Sequence, residues 1–314
     1  MVVPVYKEES NIRPFLERTE AALGKARIPY EIVFCLDPSP DATEEVIAGE
    51  IARNPRIRLI VFSRRFGQPA ATLAGIHAAR GGAVVVIDVD LQDPPELIPR
   101  MVGKWREGYE VVLAKRRSRK GETLVKEWVS RVGYRLIESV SELKIPKDTG
   151  DFRLMSRRVV DQLKRLKEQH GFLRGLVAFV GYRQATLEYD RDERLHGRGN
   201  YNRYLGSLRI GLNGVVSFSS RPLQLASMLG LFMALFGFLL GAWYVLQKLV
   251  HVPLSPGLST TVVVVTFFSG IQLLCLGLMG EYIGRIYDEV KQRPLYLVER
   301  EYGRGAPAGG QKRR

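Results

Sequence analysis

A doubly wound α/β sheet followed by two membrane-crossing helices is the fold class this 314-residue sequence predicts, and three observations carry it. Short apolar runs at 2–6, 31–36, 57–62 and 83–87 alternate with amphipathic stretches at 10–25, 41–53 and 68–80. Alternation of this kind builds a mostly parallel sheet with helices on its faces. Polar residues then follow each of the four apolar runs: Tyr6, Asp37, Ser63 and the Asp88-Val89-Asp90 triplet. Ligands of such sheets bind beyond the carboxyl ends of the strands, so four polar strand ends mark one edge as a site. Near the C-terminus, two charge-free runs, 222–247 and 252–280, are each long enough to span a bilayer, which takes about 20 apolar residues.

Each element follows from its local chemistry. The run 83–87 is unbroken Ala, Val and Ile, the pattern of a strand buried on both faces. Beyond Asp93 the pattern predicts a strand at 110–115, a helix at 122–142, a short helix at 157–167 and an alternating strand at 182–189. The charged, Gly-containing stretch 190–202 reads as a loop. Residues 1–200 thus form the α/β domain, followed by an amphipathic interface region at 201–221. Two transmembrane helices come next, at about 222–247 and 258–283 within 222–284, and a basic tail at 285–314 closes the chain.

Charge patterning orients this arrangement. The chain carries 47 Lys and Arg against 33 Asp and Glu, a net charge of +14, which attracts phosphates and anionic surfaces. The basic residues are scattered and crowd both ends of the apolar pair, which argues for a lipid bilayer and against nucleic acid as partner. Lys248 is the sole Lys or Arg in the connecting turn, so the positive-inside rule places both termini in the cytoplasm. No secretory signal opens the sequence, which leaves the first two-thirds cytoplasmic. Two distant cysteines, Cys35 and Cys275, exclude a disulfide framework. Ala226, Gly230, Ala234, Gly237 and Gly241 are small residues suited to close helix packing, within the pair or between copies in a homo-oligomer.

The chemistry centres on Asp88 and Asp90. Two apart in an extended chain, their carboxylates point the same way. Paired carboxylates suit a hard cation, Mg²⁺ or Mn²⁺, which keeps coordination positions open for substrate phosphates. Lys115-Arg116-Arg117-Ser118-Arg119-Lys120 and a helix bearing Arg131 and Arg135 offer cations for a further phosphate; Arg117 and Arg131 are the candidates named here. His77 has no ligand spacing and reads as a packing residue.

Four ordered segments carry a resemblance. They are Pro4-Val5-Tyr6-Lys7-Glu8-Glu9-Ser10-Asn11, Ser63-Arg64-Arg65-Phe66-Gly67-Gln68, Asp88-Val89-Asp90-Leu91-Gln92-Asp93-Pro94-Pro95 and Gly150-Asp151-Phe152-Arg153-Leu154-Met155. Together they resemble the serial motifs of family-two glycosyltransferases. More closely, they are similar to the polyisoprenyl-phosphate branch, which includes dolichol-phosphate mannose synthases and bactoprenol glucosyltransferases. The likeness covers essentially the whole chain, and the helix pair resembles the bactoprenol members. It implies a GT-A catalytic domain and inverting transfer from a nucleotide-diphosphate sugar, UDP-glucose favoured, to polyprenyl (undecaprenyl) phosphate. The alternatives it leaves are a GDP-mannose-dependent mannose synthase and a non-catalytic membrane scaffold.

Residue by residue, the resemblance places Pro4, Tyr6, Glu8, Asp37 and Gln68 at the nucleotide sugar. Asp88, Val89, Asp90 and Gln92 fall around diphosphate and metal, with Asp88, Asp90 and Gln92 as metal ligands. Asp151 is the catalytic acid–base or orienting group. Two departures bear on the donor. Leu36-Asp37-Pro38-Ser39 lacks the first of the family's paired acids, and Gly199-Asn200 replaces the family's Ser-Lys, leaving Arg194 or Arg198 to meet donor phosphate.

Overall fold

The structure is a computed structural model that describes residues 1–117, 149–166, 168, 173–190, 219–250 and 257–303. By its internal contacts the chain divides into two units: Met1–Ser130 with Leu143–Gly206 and Pro294–Arg314, and Arg131–Glu142 with Ser207–Arg293.

The first unit is built on one eight-stranded mixed sheet. Its strands are β1 (Val2–Val5), β2 (Ile32–Leu36), β3 (Ile57–Phe62), β4 (Ala83–Val86), β5 (Val111–Arg116), β6 (Thr149–Ser156), β7 (Gln184–Tyr189) and β8 (Val298–Tyr302), in the order β7-β5-β6-β4-β1-β2-β3-β8. The expected alternation appears here: β1 pairs in parallel with β2 and β4, and β2 with β3. Crossovers α1 (Ile12–Lys25), α2 (Thr43–Arg53) and α3 (Gln68–Ala78) link them. Parallel strands feeding helices of right-handed connection produce this 3-2-1-4 order and bring all four carboxyl ends to one edge.

The register of the other half extends that edge. Strand β6 runs antiparallel to β4, pairing Arg153 with Val86, so its amino end lies beside the carboxyl end of β4. Strand β5 is antiparallel to β6 and parallel to β7, with Lys115 opposite Thr149 and Arg116 opposite Tyr189. The carboxyl ends of β5 and β7 therefore share the edge with Asp88 and Asp151. After β4 come a 3-10 turn (Pro95–Leu97) and α4 (Ile98–Arg106); α5 (Arg157–Leu163) follows β6, and α6 (Leu173–Val180) precedes β7.

The core under the site is apolar and closed. Val3, Ile12, Phe15, Phe34, Leu36, Leu59, Ile87 and Leu154 are almost wholly buried, and each large aliphatic or aromatic group so buried contributes about 1.5–3 kcal/mol. Helix α3 packs unusually close to the sheet: a Cβ at Gly75 would sit 2.2 Å from Val2 Cγ1 and 2.8 Å from Cys35 Sγ. Only glycine permits this approach, and it fixes the helix whose first residue is Gln68.

The second unit contains α7 (Arg221–Leu249) and α8 (Leu258–Lys291), both long and apolar enough to cross a membrane. Phe236 stacks on Phe268 with ring centroids 6.2 Å apart, and Tyr282 donates to the Ser219 carbonyl at 2.8 Å. Helix α8 runs past the expected end at 283, where Glu281 and Arg285 pair one turn apart (3.2 Å) and good helix formers such as Glu289 and Lys291 follow. Gly230, Gly237 and Gly241 have no heavy atom within 4 Å of a would-be Cβ, so the pair does not close on this part of the small-residue stripe.

One expectation is corrected. The segment 285–314 was expected to be a basic tail, yet Val298–Tyr302 forms β8, antiparallel to β3. Three of its five residues are charged, the composition of a short edge strand guarded against further pairing, and this hid it from apolar pattern reading. Tyr296 just before it packs on Phe62 and accepts or donates at His77 Nδ1 (3.2 Å), so His77 is the packing residue expected. The expected helix 122–142, the loop 191–202, the amphipathic stretch 201–218 and the tail end 304–314 lie outside the described residues.

Candidate active site

The first part of the edge is a set of loops locked together by their own hydrogen bonds. After β1, the Lys7 amide donates to Ser39 Oγ (3.0 Å) and the Glu8 amide to Thr43 Oγ1 (3.1 Å). Asp41 gathers the same loops by accepting from Thr43 Oγ1 (2.8 Å), from the Ser39 hydroxyl and from the Glu9 amide (3.4 Å). Glu8 receives Asn11 Nδ2 at 2.6 Å, at the start of α1. Tyr6 is half-buried at the strand end, and the Arg65 guanidinium lies 4.0 Å from its ring centroid. Pro4 is buried within β1, opposite Cys35.

Asp37 has a more defined place than a turn residue. It is buried, and its two carboxylate oxygens accept the Phe66 and Gly67 amides, each at 2.8 Å. A carboxylate accepting two amide N–H groups makes charge-assisted bonds that fix the backbone. Gly67 adopts φ +90°, a left-handed conformation glycine takes without strain, and it turns the chain into α3. Asp37 thus holds the loop that aims Gln68, whose Nε2 donates to Asp88 Oδ1 at 2.9 Å.

The second part of the edge is a charge network. Asp88 follows β4 and Ile87; Val89 beside it is buried in the core, and Leu91 (φ +59°) bends the chain so that the Gln92 amide reaches Asp90 Oδ1 at 3.2 Å. Burial, then Asp93, Asp151 and Asp90, raise the Asp88 pKa to about 8, with Arg116 opposing. Four carboxyl groups therefore converge there, with Arg116 beside them and Arg153 and Arg174 at Asp151.

Asp151, at the amino end of β6, takes the Arg174 Nε at 2.9 Å and has Arg153 Nη2 at 3.6 Å. Burial opposes its ionisation, yet Arg174, Arg153 and Arg116 hold its carboxyl below the usual range. It is a carboxylate at neutral pH and a weak base. Arg153 is 1% exposed, spans the strand interior and donates to the Gly150 carbonyl at 2.8 Å; burial lowers its pKa to about 10.

Opposite, Arg116 Nε donates to Tyr189 Oη at 3.2 Å, the Tyr189 hydroxyl donates to Asp93 Oδ1, and Arg116 Nη2 lies 3.8 Å from the same oxygen. Arg116, Asp93, Tyr189 and Arg174 are site residues that motif reading did not select. Asp93 and Arg116 stood inside quoted segments, whereas Tyr189 and Arg174 carry no local signal; sheet register brings in Tyr189, and the placement of α6 brings in Arg174.

The remaining candidates are placed as follows. Arg117 is exposed, pairs with Asp190 (3.2 Å) and Glu188 (3.7 Å), and lines a cavity of about 290 Å³ with Pro94, Leu97, Arg100 and Tyr189. Arg131, Arg194 and Arg198 lie outside the described residues. Among the described residues, no three His, Cys, Asp or Glu side chains could hold a metal ion by themselves. Asp88 and Asp90 are two carboxylates, the number a Mg²⁺ or Mn²⁺ ion would take where water and substrate phosphate complete its shell.

Known proteins resemble this chain along most of its length. The family model described as "Glycosyl transferase family 2" matches residues 1–164, and that described as "GtrB C-terminal hairpin" matches residues 221–286. The uncharacterized glycosyltransferase YkcC of Bacillus subtilis (strain 168) is 47% identical over 303 residues, covering 96% of this chain and 94% of that protein. The bactoprenol glucosyl transferase of Shigella phage SfII is 40% identical over 307 residues, 98% of this chain and 99% of that protein. Among solved structures, the mannosyltransferase PcManGT from Pyrobaculum calidifontis in complex with GDP-Man and Mn²⁺ aligns at 16% identity and TM-score 0.48, over 93% of this chain and 85% of that one.

Proposed function

The chain belongs to glycosyl transferase family 2, and on that premise we propose that it transfers a sugar from a nucleoside-diphosphate donor to polyprenyl phosphate. The donor we favour is UDP-glucose, on the 40% identity to a bactoprenol glucosyl transferase across nearly the whole chain. The observation that carries the reaction class is the gathering of Asp88, Asp90, Asp93 and Asp151 with Arg116 on one sheet edge.

The reaction is a direct displacement. A lipid-phosphate oxygen forms the new bond to the anomeric carbon, the bond from that carbon to the diphosphate oxygen breaks, and the nucleoside diphosphate leaves with the electron pair. Configuration inverts. Asp88 and Asp90, with Gln92 as the third expected ligand, would hold Mg²⁺ or Mn²⁺, which when bound offsets charge on the departing diphosphate. Gln68 orients Asp88, and Asp37 holds the loop that carries Gln68. A phosphate monoester has a second pKa of about 6, so the acceptor is largely dianionic at neutral pH and needs little deprotonation. Asp151, held ionised by Arg174, accordingly orients the sugar or acceptor rather than serving as a strong base.

The helix pair would carry the acceptor's bilayer. Strand β7 precedes the pair and β8 follows it within one sheet, so two spans leave both flanks on one side. Arg221 before the pair and Arg285, Lys291 and Arg293 after it support a cytoplasmic location for that side by the positive-inside rule. The unfilled faces at Gly230, Gly237 and Gly241 suit contact between copies in a homo-oligomer.

The test is transfer itself. Purified protein is given polyprenyl phosphate and labelled UDP-glucose, with UDP-galactose, UDP-GlcNAc and GDP-mannose as competing donors, with and without EDTA. The expected result is a chelator-sensitive lipid product made best from UDP-glucose. No lipid product from any donor would overturn the transferase reading; a better product from GDP-mannose would replace the donor.

A further inference from the structure

Tyr189 sits where the proposed reaction has no assigned role for it. It ends β7 directly opposite Arg116 at the end of β5. Side chains of residues paired across strands stand on the same face, which is why the phenol and the guanidinium meet. The phenol is 5% exposed and Asp93 2% exposed, so this contact is made out of water. The phenol uses both of its hydrogen-bonding capacities there. It donates its proton to Asp93 Oδ1 and accepts Arg116 Nε at 3.2 Å.

The geometry explains what the hydroxyl does for the arginine. Asp93 is a buried carboxylate 3.8 Å from Arg116 Nη2, longer than a paired charge-assisted bond of about 2.7–2.9 Å. Without an intervening donor, the guanidinium would close on that carboxylate as a direct pair. The Tyr189 hydroxyl stands between them, donating to Asp93 Oδ1 and holding Nε instead. The far end of the guanidinium then lies over Gly150, where a Cβ would stand 3.0 Å from Nη2. Gly150 immediately precedes Asp151 on β6, so Arg116 is kept between Asp93 and the residue that faces the reacting groups.

We infer that Tyr189 is a positioning residue, whose hydroxyl separates Arg116 from Asp93 and keeps that guanidinium presented to a substrate phosphate at the Asp88–Asp151 edge. The inference rests on the transferase reading. The ligand is a phosphate, of either the donor diphosphate or the lipid acceptor, and separate saturation curves for the two substrates distinguish them. Phe152 packs edge-on to the Tyr189 ring at 6.0 Å, so the ring keeps its place when only the hydroxyl is removed.

The experiment is a double-mutant cycle of Tyr189→Phe and Arg116→Lys in the full chain, in detergent or vesicles, with kcat and KM measured for each substrate. Wild-type product formation settles the transferase reading independently of the variants. Tyr189→Phe is expected to lower kcat/KM for one of the two phosphate substrates by roughly tenfold or more, with the melting temperature within a few degrees of wild type. In the double variant the loss should not exceed that of Arg116→Lys alone by more than about twofold, because a residue acting through another adds nothing once its partner is gone. Multiplying losses, or a Tyr189→Phe enzyme with wild-type constants, would overturn the inference. If Tyr189→Phe does not accumulate as folded protein, Asp93→Asn is compared with Asp93→Asn carrying Tyr189→Phe, because a hydroxyl that separates Arg116 from a carboxylate has nothing to separate once the carboxylate is gone. Values of kcat/KM within about twofold of each other would support the inference, and a further roughly tenfold loss on removing the hydroxyl would overturn it.

Discussion

The two halves of the sheet edge solve the same problem, keeping polar groups fixed at a strand end, by different means. In the half formed by β1, β2 and β3, the buried Asp37 and the half-buried Asp41 are answered by neutral donors. Asp37 takes two backbone amides, and Asp41 takes two hydroxyls and an amide. In the half formed by β4, β5, β6 and β7, acids face one another and arginines, and burial with the neighbouring acids raises the Asp88 pKa. A satisfied set of amide and hydroxyl bonds makes a rigid cradle. A set of facing charges, in contrast, responds to every charged group brought among it. The difference assigns shape to one half and chemistry to the other.

Breaking the chemical half should therefore cost activity far more than stability. Asp88→Asn and Asp90→Asn remove the carboxylates proposed to meet the cation, and turnover with UDP-glucose and polyprenyl phosphate should fall by about 100-fold or more, checked by labelled-lipid formation. Full activity in either variant would remove that residue from the cation site. Asp151→Asn should lose about 100-fold, within the range for a group acting on the reacting atoms.

Arg174→Ala sharpens the same half by pH. Arg174 holds the Asp151 carboxyl below its ordinary pKa, so removing it moves that pKa up. The acid limb of the pH–rate profile should shift to higher pH, with activity near pH 8 less affected than activity near pH 5. The linked stability runs the same way: the pair supports the fold above the carboxyl's ordinary pKa and is lost as pH falls through its lowered value.

Breaking the cradle should do the reverse. Asp37→Ala strands two amides that a buried carboxylate had satisfied, and should cost about 2–4 kcal/mol in denaturant unfolding. Its activity loss should follow from disorder of the Gly67–Gln68 turn and appear mainly in the donor KM. Smallest of all, Arg300→Ala at the edge strand removes a half-exposed pair with Glu44 (3.2 Å) and should change stability by less than about 1 kcal/mol.

Much of the shaping half was legible in the sequence, because parallel strands write themselves as apolar runs and their ends as polar residues. The chemical half was legible only where a motif was contiguous. Strand β6 contains Asp151 and Arg153 in its interior, and charges inside a strand break the apolar pattern although Arg153 is almost wholly buried. Tyr189 and Arg174 reach the site through register and helix placement, which no local spacing records. Strand β8 lies beyond two long helices, and its Glu-Arg-Glu centre reads as tail until β3 is seen to need a partner. Asp37 was legible as a site residue but not as the clamp on a loop some thirty positions away.

The central claim, that the chemical half is completed by a divalent cation at Asp88 and Asp90, is tested most directly by binding rather than turnover. Mn²⁺ is titrated by electron paramagnetic resonance into the full chain in the presence of UDP, for wild type, Asp88→Asn and Asp37→Asn. The account predicts one Mn²⁺ per chain in wild type, affinity weakened by about tenfold or more in Asp88→Asn, and little change in metal affinity in Asp37→Asn. Wild-type Mn²⁺ affinity in Asp88→Asn would contradict it.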